Sequence, residues 1–276
     1  MESLKEEMKN KVIIITGGNK GVGKGCAKVF CEVLANVVIC GRNVKDGKEV
    51  EKELNTLNGG KCTFFKCDVS KEAEIIALIN FTVKKYGRID CIINNAGYNP
   101  PEKPIDELTV RELEEVIRTN FIGIFCGCKY ALPYLRRSKG NIINMSSVLS
   151  KTGIEGALAY SATKGAITTF TKSLAIDESR NGVRVNAMLP GNIKTEMYEK
   201  NKKREKDPEE FEEYSNHVQW MGRSGEPEEV GKACLFLASS LGSFVTGIEL
   251  LVSGGYEIGE GAKYYRMNWK DRMIQK

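Results

Sequence analysis

A tyrosine and a lysine four residues apart, Tyr160 and Lys164, could carry out proton chemistry. Residues 157–180 have apolar side chains at steps of three or four, which predicts a helix with both residues on one face. An ammonium beside a tyrosine hydroxyl favours the phenolate and lowers the pKa of the tyrosine from its usual value of about 10. We therefore predict a general acid/base, although so short a pattern also occurs on ordinary surface helices.

A glycine-rich turn, Thr16–Gly23, follows the first strand-like run and opens a helical stretch. Glycines let the backbone turn tightly and approach a diphosphate closely, while the helix N-terminus offers free N–H groups to the anion. In this context the turn predicts a dinucleotide-binding site. Its predicted binding residues are Gly17, Asn19, Lys20, Gly21, Val22 and Gly23.

The second strand-like run ends at Gly41-Arg42-Asn43, about 18 residues after the turn. A site for NAD usually has Asp or Glu here to bind the ribose hydroxyls, and this chain has Gly41 instead. An arginine fork matches a 2′-phosphate, and Lys20 could reach the same group. These residues predict NADP(H) as the favoured cofactor and leave NAD(H) possible.

The composition is that of an ordinary globular protein, with 41% apolar and 28% charged residues among 276. The net charge of +5 is small and spread along the chain, so we expect no nucleic-acid partner. A single histidine and nine cysteines without zinc-site spacing argue against a metal centre and for buried free thiols. No leader-like or membrane-spanning apolar run is evident, and we expect a cytosolic protein without a membrane partner.

Strand-like and helical segments alternate along the chain. Short apolar runs predict seven strands, at 12–15, 36–40, 62–66, 91–93, 141–144, 183–187 and 249–252. Helical patterns fall near 21–34, 44–57, 71–86, 107–136, 157–180 and 226–240. This order predicts an α/β fold, a Rossmann-type doubly wound parallel sheet of about seven strands with helices on both faces. We expect one domain, 1–276, with its core at 10–255.

Two segments depart from the alternation. The heavily charged residues 194–222 form either a solvated helical face or a substrate lid, since they follow a strand's carboxyl end. The tail, 259–276, contains aromatic residues among basic ones and is either frayed or docked on another subunit.

Several motifs occur together in one order. They are the turn at Thr16–Gly23, Asn94-Asn95-Ala96-Gly97, Asn120, Ser147, Tyr160 with Lys164, and Pro190-Gly191. This set, spread over residues 11–255, resembles the short-chain dehydrogenase/reductase family. The resemblance implies an oxidoreductase that interconverts an alcohol and a carbonyl compound with NAD or NADP.

The resemblance also implies roles for the catalytic group. Tyr160 is the acid/base, and Lys164 lowers its pKa and binds the nicotinamide ribose. Ser147, thirteen residues before Tyr160, orients the substrate oxygen; its neighbour Ser146 is the competing candidate. Asn120 holds a water that relays protons from Lys164 to the solvent.

Further cofactor contacts are implied for residues after the third, fourth and sixth strands. Asp68 and Val69 bind the adenine, although Asp68 could instead cap the helix that follows. Asn95 borders the adenosine ribose, beside Ala96 and Gly97. Ile193 and Thr195 bind the nicotinamide carboxamide, although Thr195 could instead be a helix N-cap. The remaining implied contacts are Pro190, Gly191 and Met197.

The substrate is the least determined part of the site. A mostly apolar set, Tyr98, Ile154, Leu158, Asn192, Met197 and Trp220, is expected to line the pocket with Ser147 and Tyr160, whereas His217 is expected at the surface. Stretches at 91–97, 131–136, 177–179, 190–193 and 246–252 resemble hydroxysteroid dehydrogenases of the family. They imply a 17-beta-hydroxysteroid or a similar bulky alcohol. The alternatives are a sugar of the L-fucose type and a non-catalytic NADPH-binding module. The family also implies a homodimer or homotetramer that assembles through the helices near 107–136 and 157–180.

Overall fold

A computed structural model describes residues 2–203 and 206–259. Its seven strands form one parallel sheet in the order β3-β2-β1-β4-β5-β6-β7. The strands are β1 Val12–Thr16, β2 Asn36–Gly41, β3 Cys62–Lys66, β4 Cys91–Asn94, β5 Asn141–Met145, β6 Arg184–Pro190 and β7 Glu249–Val252. The predicted sheet is confirmed, with β6 three residues longer at its carboxyl end.

Helices cover both faces of the sheet. They are α1 Glu2–Met8, α2 Gly21–Glu32, α3 Val44–Leu54, α4 Glu72–Tyr86, α5 Val110–Ile117, α6 Gly123–Ser138, α7 Leu158–Ser179, α8 Glu196–Lys202, α9 Pro208–His217 and α10 Pro227–Ala238. Every residue of β1 is buried, as expected for a strand covered on both sides. One apolar layer includes Phe30 and Leu235, and the other includes Leu78 and Ile167.

The helix expected near 107–136 is two helices joined by a π-helical turn, Arg118–Ile122. Thr109 and Glu112 form a reciprocal capping box, which starts α5 at residue 110. A π turn inserts an extra residue into the helix, and apolar periodicity does not reveal it. This turn carries Asn120.

The first eleven residues contain α1, which we did not predict, and its Met8 is buried. The charged segment 194–222 contains α8 and α9. The predicted tail is 259–276, and its residues 260–276 lie outside the described residues. Of the described helices, none is long and apolar enough to cross a membrane.

The strand order reverses between β1 and β4, and this reversal opens a crevice at the carboxyl ends of the strands. The hydroxyl of Thr16, the last residue of β1, accepts hydrogen bonds from the backbone N–H groups of Asn95 (2.9 Å) and Ala96 (3.0 Å). The glycine-rich turn and the segment after β4 are thereby held side by side at the crevice.

Candidate active site

A cavity of about 1280 Å³ occupies the crevice. It is bordered by the glycine-rich turn, by the segments after β2, β3, β4, β5 and β6, and by α7, α8 and α9. Ligand pockets commonly measure about 300–1,000 Å³, so this cavity has room for a dinucleotide and a small substrate.

Most of the predicted site residues line this cavity. They are Gly17, Asn19, Lys20, Gly21, Val22, Gly41, Arg42, Asn43, Asp68, Val69, Asn95, Ala96, Gly97, Tyr98, Ser147, Ile154, Tyr160, Lys164, Pro190, Gly191, Asn192, Ile193, Thr195 and Met197. Gly23 and Asn120 lie behind the wall, where they support it, as shown below.

The glycine-rich turn is packed too tightly for side chains. A Cβ on Gly23 would lie 2.4 Å from the Gly17 carbonyl oxygen and 2.6 Å from Asn95 Nδ2. Asn95 Nδ2 donates a hydrogen bond of 2.8 Å to the Thr16 carbonyl oxygen, so its amide holds the turn closed. The backbone of α2 can therefore approach a bound diphosphate, and the turn fits the dinucleotide that the sequence predicts.

At the end of β2, the side chain of Asn19 lies where a residue larger than Gly41 would place its own. A Cβ on Gly41 would lie 2.3 Å from Asn19 Oδ1, so Asn19 occupies the space that Asp or Glu would need. Arg42 is exposed at the rim of the cavity. Asn43 caps α3 through hydrogen bonds to its Oδ1 from the N–H groups of Lys45 (3.0 Å) and Asp46 (3.3 Å).

Asp68 lies opposite this rim, after β3. Its Oδ1 accepts hydrogen bonds from the Ser70 N–H (3.0 Å) and hydroxyl (2.8 Å). Burial alone would raise the pKa of Asp68, but the Ser70 hydrogen bonds, together with Arg42 and Lys71, bring it below its usual value. Asp68 is thus a carboxylate that faces the cavity and holds a local turn, while α4 begins only at Glu72.

The structure brings Ser147, Tyr160 and Lys164 together. Ser147 acts on Tyr160 as a hydrogen-bonding partner that lowers its pKa, and Ser147 Oγ accepts a hydrogen bond from the Leu149 N–H at 3.1 Å. Lys164 is only 4% exposed, and its Nζ lies 5.3 Å from the centre of the Tyr160 ring. The competitor, Ser146, donates its hydroxyl to the Lys164 carbonyl at 2.9 Å and is bound inside the protein.

Burial is the main influence on the pKa values of Tyr160 and Lys164. Burial raises the pKa of Tyr160, and the hydrogen bond with Ser147 opposes that rise. Burial also lowers the pKa of Lys164 to about 8, so its own charge is costly. Lys164 directs its ammonium to the Met145 carbonyl oxygen at 2.8 Å. In this arrangement the Ser147 hydroxyl favours the phenolate of Tyr160.

Asn120 is completely buried in the π-helical turn. Its Oδ1 accepts from the Tyr98 N–H and its Nδ2 donates to the Tyr98 carbonyl, both at 3.0 Å. Nδ2 also donates to the Thr163 hydroxyl at 3.3 Å. Asn120 therefore fastens the segment after β4 onto α7, beside Lys164.

Two residues expected in the substrate pocket, Leu158 and Trp220, lie outside the cavity lining. Leu158 is the first residue of α7 and 44% exposed, so its side chain faces away from the core. Trp220 is 39% exposed and packs near Gly255. The ring of His217 hydrogen-bonds the Glu213 carbonyl at 2.7 Å, at the end of α9, in agreement with the expected surface position.

Polar residues that the sequence analysis missed line the cavity instead. They include Asn99, Glu102, Thr119, Glu155, Asn201 and Ser215. Asn99, Glu102 and Glu155 lie on loops after β4 and β5, and loop residues follow no period that a sequence could reveal. The available signal was that they follow the carboxyl ends of strands, because ligands bind at that edge of a parallel sheet.

The segment 194–222 borders the cavity through α8 and α9. Thr195 caps α8, since its Oγ1 accepts a hydrogen bond from the Tyr198 N–H at 3.2 Å. A hydroxyl that accepts one hydrogen bond can still donate another, so the cap and the predicted cofactor contact are compatible.

Comparisons with known proteins agree with this geometry. The family model described as Enoyl-(Acyl carrier protein) reductase matches residues 17–257. L-fucose dehydrogenase from Oryctolagus cuniculus is 43% identical over 255 residues, covering 92% of this chain and 88% of that protein. Glucose 1-dehydrogenase 2 from Bacillus subtilis is 35% identical over 91% of this chain and 96% of its own length.

A solved structure gives the same result. Aldohexose dehydrogenase from Thermoplasma acidophilum superimposes with a TM-score of 0.83 at 31% identity, covering 92% of this chain and 96% of that one. The sequence resemblance within the family also pointed to 17-beta-hydroxysteroid dehydrogenase type 14. That specific member is not confirmed, because the two curated relatives described above are named for sugars.

The match over residues 17–257, the curated relatives and the seven-stranded sheet lead to one conclusion. The chain belongs to the short-chain dehydrogenase/reductase family and is an oxidoreductase that acts on CH–OH groups with NAD or NADP.

Proposed function

We propose that this protein oxidises a hydroxyl group of a neutral monosaccharide of the L-fucose type, with NADP as the favoured cofactor. The observation that carries the proposal is the contact of Ser147 with Tyr160, one helical turn from Lys164, on the wall of a cavity that also contains the glycine-rich turn. The named sugar dehydrogenases among the relatives support the substrate class.

The lining of the cavity also favours a sugar over a steroid. A sugar presents several hydroxyl groups, each of which needs a hydrogen-bonding partner when it is buried. Asn99, Glu102, Glu155 and Asn192 can supply such partners. Two of the apolar residues expected to contact a steroid, Leu158 and Trp220, lie outside the lining.

In the reaction that we propose, Tyr160 as the phenolate removes the proton of the substrate hydroxyl. Ser147 donates a hydrogen bond to the same oxygen and orients it. NAD(P) held in the cavity supplies the hydride chemistry. Lys164 and Asn120 stabilise the backbone around the site. Lys164 hydrogen-bonds the Met145 carbonyl, and Asn120 accepts a hydrogen bond from the Tyr98 N–H. In the reverse direction Tyr160 returns the proton.

NADP is favoured because Arg42 lies at the rim while Asn19 fills the place of an acidic side chain. A guanidinium binds a 2′-phosphate through paired charged hydrogen bonds. Lys20, which lines the same end of the cavity, adds a second positive charge.

We expect the active protein to be a homodimer or homotetramer. Apolar side chains on α5–α7 and the π turn are exposed, among them Phe125 at 42% and Ile176 at 74%. Such patches commonly mark protein interfaces.

We also propose that α8 and α9 act as the substrate lid, since both border the cavity.

The test is a panel of neutral sugars, including L-fucose and D-glucose, and of 17-beta-hydroxysteroids, each assayed with NADP and NAD. We expect turnover of a sugar with NADP. In Tyr160→Phe, kcat should fall by about 10²–10⁴-fold while NADPH still binds. Turnover of steroids alone would contradict the substrate class. NADPH binding without turnover of any alcohol would favour the non-catalytic module.

A further inference from the structure

A carboxylate lies at the start of the helix that follows the glycine-rich turn. The N–H of Gly21, the first residue of α2, donates a hydrogen bond of 2.8 Å to Glu196 Oε2. Glu196 is the first residue of α8 and comes from a segment 175 positions further along the chain. It lines the same cavity as Gly17 and Asn19.

This is the position where a dinucleotide presents its negative charge. The first N–H groups of a helix have no partner within the helix, and the helix dipole makes them an anion site. A diphosphate that reaches the N-terminus of α2 meets a carboxylate already bound to one of these groups. Two anions repel each other there, so the Glu196 hydrogen bond opposes the binding of the cofactor.

A second observation on the same helix concerns the side chain of Tyr198. Tyr198 is only 8% exposed and packs against the Phe211 ring at 5.4 Å between centres. Its hydroxyl is buried without a hydrogen-bond partner among the described residues. A buried hydroxyl without a partner is unfavourable, so a shift of α8 that exposes or pairs this group would be favourable.

We propose that Glu196 is an internal competitor for the cofactor diphosphate, and that it leaves Gly21 when the cofactor binds. Glu196 then sets the affinity of the site and favours cofactor release. In many enzymes of this kind release limits turnover, so a residue that weakens binding can speed the cycle. This inference rests on the proposed function only in that the cavity binds NADP(H).

The decisive variant is Glu196→Gln, which removes the charge and keeps a side-chain oxygen that can accept the Gly21 hydrogen bond. Its matched control is Glu199→Gln, one turn further along α8, where the side chain is exposed and outside the cavity lining. Dissociation constants are measured by fluorescence titration with NADPH. ADP-ribose serves as a second probe, because it contains the diphosphate without the nicotinamide.

We expect Glu196→Gln to bind NADPH and ADP-ribose about three- to fivefold more tightly than the wild type, as for removal of one charge competing at a helix terminus. Glu199→Gln should bind as the wild type does. Unchanged or weaker binding by Glu196→Gln would overturn the proposal, as would equal tightening in Glu199→Gln. If the wild type bound neither NADPH nor NADH, the proposed function itself would fail, which is a separate outcome.

Discussion

Ser147, which follows β5, and Tyr160 of α7 lie together on the wall of the cavity. The Ser147 hydroxyl opposes the effect of burial, which raises the pKa of Tyr160. The Ser147 hydroxyl therefore has two roles. It favours the phenolate of Tyr160, and it lies on the cavity wall where we propose that the substrate oxygen binds. The two effects can be separated by experiment.

Ser147→Ala should lower kcat about 10²-fold and move the rise of oxidation rate to higher pH. Oxidation needs the phenolate, and loss of the Ser147 hydrogen bond raises the pKa of Tyr160 further. The pH profile of kcat measures this shift. Ser146→Ala is the control, because its hydroxyl binds the Lys164 carbonyl, and its profile should keep the wild-type midpoint. A Ser147→Ala profile with that same midpoint would contradict the assigned role.

Lys164→Met should change how stability depends on pH. Burial lowers the pKa of Lys164 from 10.5 to about 8 in the folded protein, so between these values the unfolded chain binds more protons. The free energy of unfolding of the wild type then rises with pH in this window relative to Lys164→Met. Between pH 7 and pH 9.5 the gain should be about 2 kcal/mol, measured by urea unfolding.

The matched control for this experiment is Lys52→Met, because Lys52 is exposed on α3. Its difference from the wild type should be the same at both pH values. If the difference between Lys164→Met and the wild type did not depend on pH, the lowered pKa of Lys164 would be contradicted.

Arg42→Ala should weaken NADPH binding about tenfold and leave NADH binding unchanged. A charged hydrogen bond contributes about 1.5–3 kcal/mol, and only NADPH carries the 2′-phosphate. Fluorescence titration with both cofactors measures the ratio. Lys45→Ala, an exposed cation outside the cavity lining, should leave both affinities unchanged. Tighter binding of NADH than NADPH by the wild type would refute the proposed preference.

Gly23→Ala should lose most of its cofactor affinity, because the new Cβ would lie 2.4 Å from the Gly17 carbonyl oxygen and force the turn open. Gly165→Ala is the contrasting variant, since nothing lies within 4 Å of its Cβ position on α7. Alanine there should raise the free energy of unfolding by about 0.5–1 kcal/mol. Titration with NADPH measures the cofactor affinity of Gly23→Ala, and calorimetry measures the stability of Gly165→Ala. Normal cofactor binding by Gly23→Ala would contradict the close packing of the turn.

Much of the fold was predictable because it depends on local pattern. Seven short apolar runs separated by helical segments specify a parallel sheet, since such strands are buried on both faces and need crossover helices. The π turn at Asn120 was not predictable in this way. Its extra residue is stabilised by contacts of the Asn120 side chain with Tyr98 and Thr163, which come from other parts of the chain.

By itself, the sequence determined the strands, most of the helices, the glycine-rich turn and the spacing of Ser147, Tyr160 and Lys164. These features depend on neighbouring residues and on motifs at known distances. Only the tertiary structure decided that Asn19 fills the space beside Gly41 and that Glu196 binds the first N–H of α2. It also decided how deeply Tyr160 and Lys164 are buried, which raises the pKa of the tyrosine and lowers that of the lysine. The physical reason is that charge and steric effects act over a few ångströms, and the chain packing alone determines which distant residues come that close.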